Sequence, residues 1–325
     1  MRCRWRYALA SACVIALTRL AVSQDKPPLG TPGDLVDRRG CDPPPAYDAA
    51  LSQWPFKESP ASERPGRSQY LTALQNLTCS RITYLSDGLR IVGFINHPRA
   101  MPLGRRYPVI INLRGGTGDD GSLPPHPLYS TAQMVASGFV VLSTQYRGAG
   151  GSEGRDEHGG ADLADVLNLF PLLRRLEYAD TANIFLLGSS RGGTMALLAL
   201  RAGVHVRAAA IKYAPTDYRD WLASRPDMEI LFRAIVPGFE RDREAALTRR
   251  SATAWAEELH VPLLILHGSA DERVPAREAL RFAERLQALG KEYELVLYAG
   301  DTHGLPAHAT DAQERVLRWF RMRVR

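Results

Sequence analysis

The chain has 325 residues, 45% of them hydrophobic and 23% charged, the proportions of an ordinary soluble protein with one large domain or two small ones. Its 41 basic and 35 acidic side chains give a net charge of +6, but Arg2, Arg4, Arg6 and Arg19 all fall in the first twenty residues, and removing those four leaves 37 against 35. No lysine-rich stripe or nucleic-acid motif remains, which excludes polyanion binding as the main role.

In chain order, the N-terminus reads as an export signal. Three arginines precede an apolar stretch from Tyr7 to Leu17, and Ala21-Val22-Ser23 then offers the small residues a signal peptidase inspects. The stretch is shorter than the ~20 apolar residues of a membrane span. Residues 1–23 are assigned to this signal, and the mature protein is expected in the periplasm or secreted, with no stable membrane span once the signal is removed. Cys3 and Cys13 leave with the signal; Cys41 and Cys79 stay, and an oxidising compartment predicts that they pair, the alternative being two buried thiols. Neither C-x-x-C pairs nor clustered His/Cys spacing points to a metal.

Residues 24–80 form a proline-rich arm, expected to be extended with at most a short helix. Arg81 to Leu85 and Leu89 to Asn96 read as strands joined by the turn Ser86-Asp87-Gly88. Six further strands follow: Val109 to Leu113, Phe139 to Thr144, Asn183 to Leu187, Val206 to Ile211, Pro262 to His267 and Tyr293 to Tyr298. Helical spacing is clearest over Leu163 to Leu176 and Ala276 to Leu289. Strands alternating with helices predict an α/β fold over 81–325, a mostly parallel sheet with helices on both faces. Residues 214–259 do not read as sheet; their aromatic and apolar content suits short helices inserted as a cap.

The segment Gly188-Ser189-Ser190-Arg191-Gly192 follows the apolar run Ile184 to Leu187 and precedes a helix from Thr194 to Ala202. A serine in such a strand-turn-helix is held in a strained conformation with its hydroxyl exposed, and the flanking glycines leave room for neighbouring backbone. The new helix aims N–H groups where an oxyanion would form. Downstream, Asp271 and His303 each lie just past a strand. The C-terminal ends of parallel strands share one edge, so Ser190, Asp271 and His303 can meet there as nucleophile, acid and base.

Together these residues resemble the prolyl oligopeptidase family of serine peptidases, within the α/β-hydrolase superfamily. The resemblance runs from about Arg81 to the C-terminus. It rests on Ser86-Asp87-Gly88-Leu89 with Gly93, Gln145-Tyr146-Arg147-Gly148 with Gly150-Gly151, Ala214-Pro215-Thr216-Asp217, the run Pro262 to Pro275, and Leu289-Gly290-Lys291. It implies the α/β-hydrolase fold and the roles just given for Ser190, Asp271 and His303. Large members carry a propeller ahead of this domain, whereas the arm here is shorter than two blades of roughly 40–45 residues. Other members place a tyrosine or histidine after the third core strand to bind the oxyanion; here the segment is Arg114-Gly115-Gly116. The Arg191 N–H is expected as one oxyanion donor, with the second from the Arg114-Gly115 backbone or the Arg114 guanidinium.

These assignments predict attack by Ser190 on an amide or ester, with His303 moving the proton and Asp271 holding the imidazole. An acyl-enzyme forms and water hydrolyses it, without a cofactor. The expected substrate is a small peptide. A carboxylesterase could use the same residues, and a non-catalytic binding protein on the same scaffold is the reading from another class. Tyr146, Trp221 and Phe232 are the candidate substrate-binding residues. His267 reads as structural and His158 as a surface or loop residue, while Arg147 either orients a substrate carboxylate or pairs with Glu153 or Asp156.

Overall fold

The computed structural model describes residues 30–53 and 56–325. The assigned export signal lies outside them. The chain runs through β1 (Leu35–Gly40), α1 (Tyr47–Leu51), α2 (Arg67–Gln75), β2 (Leu77–Ser86), β3 (Leu89–Pro98), β4 (Tyr107–Leu113), α3 (Tyr129–Ala136) and β5 (Val140–Thr144). It continues through α4 (Leu163–Leu167), α5 (Leu169–Leu173), β6 (Ala179–Ser189), α6 (Arg191–Arg201), β7 (Ala208–Lys212), α7 (Tyr218–Ser224), α8 (Pro226–Ile235) and α9 (Arg243–Arg250). The last elements are β8 (Leu263–Gly268), α10 (Arg277–Ala288), β9 (Tyr293–Tyr298) and α11 (Ala309–Arg321).

Among the described residues all nine strands join one sheet in the order β1-β2-β3-β5-β4-β6-β7-β8-β9. Pairing is antiparallel from β1 to β5 and parallel from β5 through β4 to β9. Side chains on a strand alternate between faces, so each central strand feeds two cores. Val109, Ile111, Ile184 and Leu186 pack with Leu197 and Phe282 on one face, while Ile110, Phe185 and Leu187 pack with Val135 and Phe320 on the other. This is the α/β-hydrolase architecture, with its parallel strands all delivering loops to one edge.

The arm departs from the expected extended segment. Its β1 extends the sheet by pairing with β2, and the nine-residue α2 seats Tyr70 and Leu74 in the core beneath α3 and α11. Cys41, just past β1, is bridged to Cys79 of β2, with Cα atoms 5.4 Å apart. Two helices also differ from their predicted spans. The one read over Leu163 to Leu176 breaks at Asn168 into α4 and α5. The helix after Ser190 starts at Arg191, three residues earlier than the apolar spacing indicates. Residues 214–259 form α7, α8, α9 and a 3-10 turn over 252–258, with a core of their own built on Tyr218, Trp221, Leu222, Phe232 and Phe239.

Candidate active site

The turn between β6 and α6 is set by collisions of backbone with backbone. A Cβ on Gly188 would lie 2.2 Å from the Gly192 carbonyl oxygen, and one on Gly192 would lie 2.0 Å from that of Leu113. Only glycine fits at either place. Ser190 itself is left with φ 53° and ψ −126°, a conformation L-residues rarely adopt, and its N–H donates to the Lys212 carbonyl at 2.8 Å. The strained backbone lifts the hydroxyl out of the turn.

Two loops bring partners to that hydroxyl. His303 Nε2 lies 3.1 Å from Ser190 Oγ, and its Nδ1 lies 2.8 Å from Asp271 Oδ2. Asp271 is buried, and its Oδ1 accepts the N–H groups of Arg273 and Val274, both at 2.9 Å. Burial raises the Asp271 pKa, but hydrogen bonds from His267 and His303 and from the Val274 N–H outweigh it, holding the carboxyl well below its usual range. His267 is fully buried, with Nε2 2.8 Å from the Val274 carbonyl, as its structural reading anticipated. The loop carrying His303 is tied back by buried Asp301, which accepts from Thr302 and Ala307 N–H and pairs with His308 at 2.9 Å.

Beside Ser190 the structure separates the candidate oxyanion donors. Arg191 is the first residue of α6, so its N–H has no carbonyl one turn back to bond. Gly115 packs against Ser190: a Cβ there would sit 3.1 Å from Ser190 Cβ and 3.7 Å from Oγ. The Arg114 guanidinium, by contrast, is fully committed. Its Nε and Nη2 donate to the Gln145 carbonyl, Nη2 also to Gly118, and Nη1 to Gly115 and Asp120. Those five bonds use all five N–H groups, so the guanidinium is excluded as a second donor and the backbone is what remains.

The Arg191 side chain has a different task. It is buried between Asp156, 2.6 Å away, and Asp162, and donates to the Gly116 carbonyl at 2.9 Å. Asp156 in turn accepts the Gly118 and His158 N–H groups, and Asp162 those of Gly159 and Gly160. One cation thereby fastens the loop after β4 and the loop after β5 to the start of α6. Sequence reasoning missed this cluster, since no spacing links residues 35 and 29 positions apart.

Several other assignments are corrected. Tyr146 is fully buried; its ring lies between the Arg114 and Arg191 guanidinium groups and its hydroxyl donates to the Arg114 carbonyl at 3.1 Å, so it is scaffold and not a substrate contact. Phe232 is fully buried in the cap core, 4.9 Å from His158, and forms no wall of the cavity. Trp221 does line it, anchored by its Nε1–H to the Arg273 carbonyl at 2.9 Å. His158 lies in a loop, as expected, but is buried there and not on the surface, bridging Thr117 at 3.0 Å and the Tyr218 hydroxyl at 3.1 Å. Burial, then Arg191 and Arg250, depress its pKa, so it stays neutral. Arg147 does pair with acidic neighbours, but these are Asp165 and Asp87 in place of Glu153 or Asp156.

The cavity over Ser190 holds about 250 Å³ and is lined by Pro215, Trp221, Met228, Leu231 and Val274, together with Arg225 and Arg273. Residues 127–324 match the model of the prolyl oligopeptidase family of peptidases. The chain belongs to the prolyl oligopeptidase family.

It is thus a serine-type peptidase by family. It is similar to the uncharacterized peptidase YtmA of Bacillus subtilis, 28% identical over 233 residues that cover 71% of this chain and 88% of that one. It is also similar to the acylamino-acid-releasing enzyme of Sus scrofa, 24% identical over 67% of this chain but only 31% of the relative. Among solved structures, the acylaminoacyl peptidase of Pyrococcus horikoshii shares the fold at a TM-score of 0.66, with 23% identity over 78% of this chain and 43% of that one. The chain spans most of YtmA but less than half of the other two.

Proposed function

We propose that this prolyl oligopeptidase family member is an exported peptidase that cleaves short peptides through an acyl-enzyme on Ser190. The observation that carries the reading is the unbroken chain from Asp271 through His303 to a strained Ser190 at the N-terminus of α6. As Ser190 Oγ bonds to the carbonyl carbon, its proton passes to His303 Nε2. The oxyanion is received by the Arg191 N–H and the Gly115 backbone. His303 then gives the proton to the amine nitrogen as the C–N bond breaks, and water releases the acyl group by the same route. Asp271, held ionised, fixes the imidazole with Nε2 toward the serine.

A cavity of about 250 Å³ suits a small acyl portion, with an apolar side chain against Trp221, Met228 and Leu231. Relatives named for acylaminoacyl peptidase and acylamino-acid-releasing activity support a short or acylated peptide as the substrate. Export is supported by the N-terminal signal pattern and by the Cys41–Cys79 bridge, which suits an oxidising compartment. A fluorophosphonate probe should label the protein at Ser190. Loss of labelling in Ser190→Ala, and a strong drop in His303→Ala, are the expected results; equal labelling of folded Ser190→Ala would remove this reading.

A further inference from the structure

A second cavity, of about 170 Å³, lies beside the residues that follow His303 and owes one wall to the arm. Tyr213, whose ring meets the His303 ring edge-on at 4.7 Å, lines it, as do Gly304 and Leu305, the residues that follow His303. The arm contributes Tyr70 and Glu63. Tyr70 stacks on Tyr129 at 5.9 Å, giving the wall an aromatic face. Glu63 is already engaged, accepting the Thr310 N–H at the start of α11 at 2.8 Å.

Lys212 stands apart. It is the sole lysine or arginine among the described residues lining this cavity, and no carboxylate of a described residue lies within ion-pair distance of it. Its Nζ lies 5.9 Å from the centroid of the Tyr213 ring. Lys212 also supplies the carbonyl that accepts the Ser190 N–H, so this uncompensated ammonium belongs to the residue against the nucleophile.

We propose that this second cavity receives the leaving group: an apolar or aromatic amino acid whose free carboxylate pairs with Lys212. The inference rests on Ser190 being the nucleophile. The acyl portion then occupies the cavity under the cap. The amine to which His303 delivers its proton sits on the side of Tyr213 and Gly304. When the C–N bond breaks, the free amino acid carries that proton away and the acyl group stays on Ser190 until water attacks. The substrate class is therefore a short or N-acylated peptide cut at its last peptide bond.

The test compares kcat/KM for benzyloxycarbonyl-Ala-Phe with its C-terminal amide, using benzyloxycarbonyl-Ala 4-nitroanilide as a control without a carboxylate. A charge-assisted contact is worth about 1.5–3 kcal/mol, so the wild-type enzyme should prefer the free carboxylate by about tenfold or more. Lys212→Met should erase that preference and Lys212→Arg should keep most of it. Equal rates on acid and amide with the wild-type enzyme overturn the proposal without any variant, as does a preference that survives in Lys212→Met. Absence of both nitroanilide turnover and fluorophosphonate labelling instead removes the Ser190 reading on which the proposal stands.

Discussion

The turn at Gly188 to Gly192 and the arm at residues 30–76 meet at the same catalytic edge, but they are held by opposite means. Within the turn, main-chain atoms lie where a single Cβ would bring 2.0 to 2.2 Å contacts, and no side chain needs to be ordered to fix Ser190. The arm is secured by one edge strand, one disulfide, the burial of Tyr70 and Leu74 and individual contacts such as Glu63 to Thr310. Close packing has few alternative arrangements, whereas an edge strand can open locally at little cost to the rest. The position of Ser190 is therefore intrinsic to the sheet. The shape of the cavity beside His303 depends on a segment that can be loosened separately.

The largest expected effect comes from breaking the rigid side of this contrast. Ser190→Ala, His303→Ala and the double variant should each lose roughly 10⁴-fold or more in kcat, with the double variant little worse than the singles because the residues act as a unit. Additive losses would mean that they do not share one step. Melting temperatures should barely move, and circular dichroism on the same samples checks that the fold is retained.

Next comes the buried charge cluster that joins the rigid turn to its neighbouring loops. Asp162→Asn leaves the Arg191 guanidinium with Asp156 as its one remaining anion, in a fully buried setting. Removing one partner of such a cluster costs about 3–5 kcal/mol, so urea unfolding should show a large drop in midpoint. Activity should fall as well, since the loop after β4 carries Gly115. A small stability change would show that Asp156 alone suffices.

The opposite side is probed by reducing the Cys41–Cys79 bridge, which spans 38 positions. Loop entropy puts its contribution at about 3–4 kcal/mol at most, less wherever the unfolded chain keeps structure. Reductant should lower the thermal midpoint while leaving nitroanilide hydrolysis at moderate temperature nearly unchanged. A parallel collapse of that activity would show that the arm supports the nucleophile as well as the second cavity.

The same contrast explains what could be read from sequence. Ser190, Asp271 and His303 were legible because each needs a particular residue type at the end of an apolar strand, and that signal is local. The arm was not: β1 reads Leu-Val-Asp-Arg-Arg-Gly and is exposed throughout, so it has no alternating apolar pattern to reveal a strand. Tyr146 was assigned to substrate from its place in a motif, but its burial between two guanidinium groups comes from tertiary contacts that spacing does not encode. Phe232 and Trp221 are alike as cap aromatics in sequence, and only the packing of α7 on α8 decides which faces the cavity.

The smallest expected effect concerns the hinge by which the cap leaves the sheet. Glu278, the second residue of α10, is almost fully buried, and its Oε2 accepts the Thr216 and Asp217 N–H groups at 2.9 and 2.6 Å. Burial, with the nearby carboxylates of Asp220 and Asp217, pushes its pKa up to about 7 against the pull of those two N–H groups. Unfolded, the same carboxyl titrates near 4.5. Between those values the folded chain holds a proton that the unfolded chain has lost, so this group's contribution to stability falls as pH rises and is gone above about 7. Glu278→Gln keeps an oxygen to accept from the hinge but cannot ionise. Its melting temperature should match the wild type near pH 4.5 and exceed it by a few degrees at pH 8. Parallel melting curves across that range would mean that the hinge tolerates a buried carboxylate at no cost, and that the cap is fastened elsewhere.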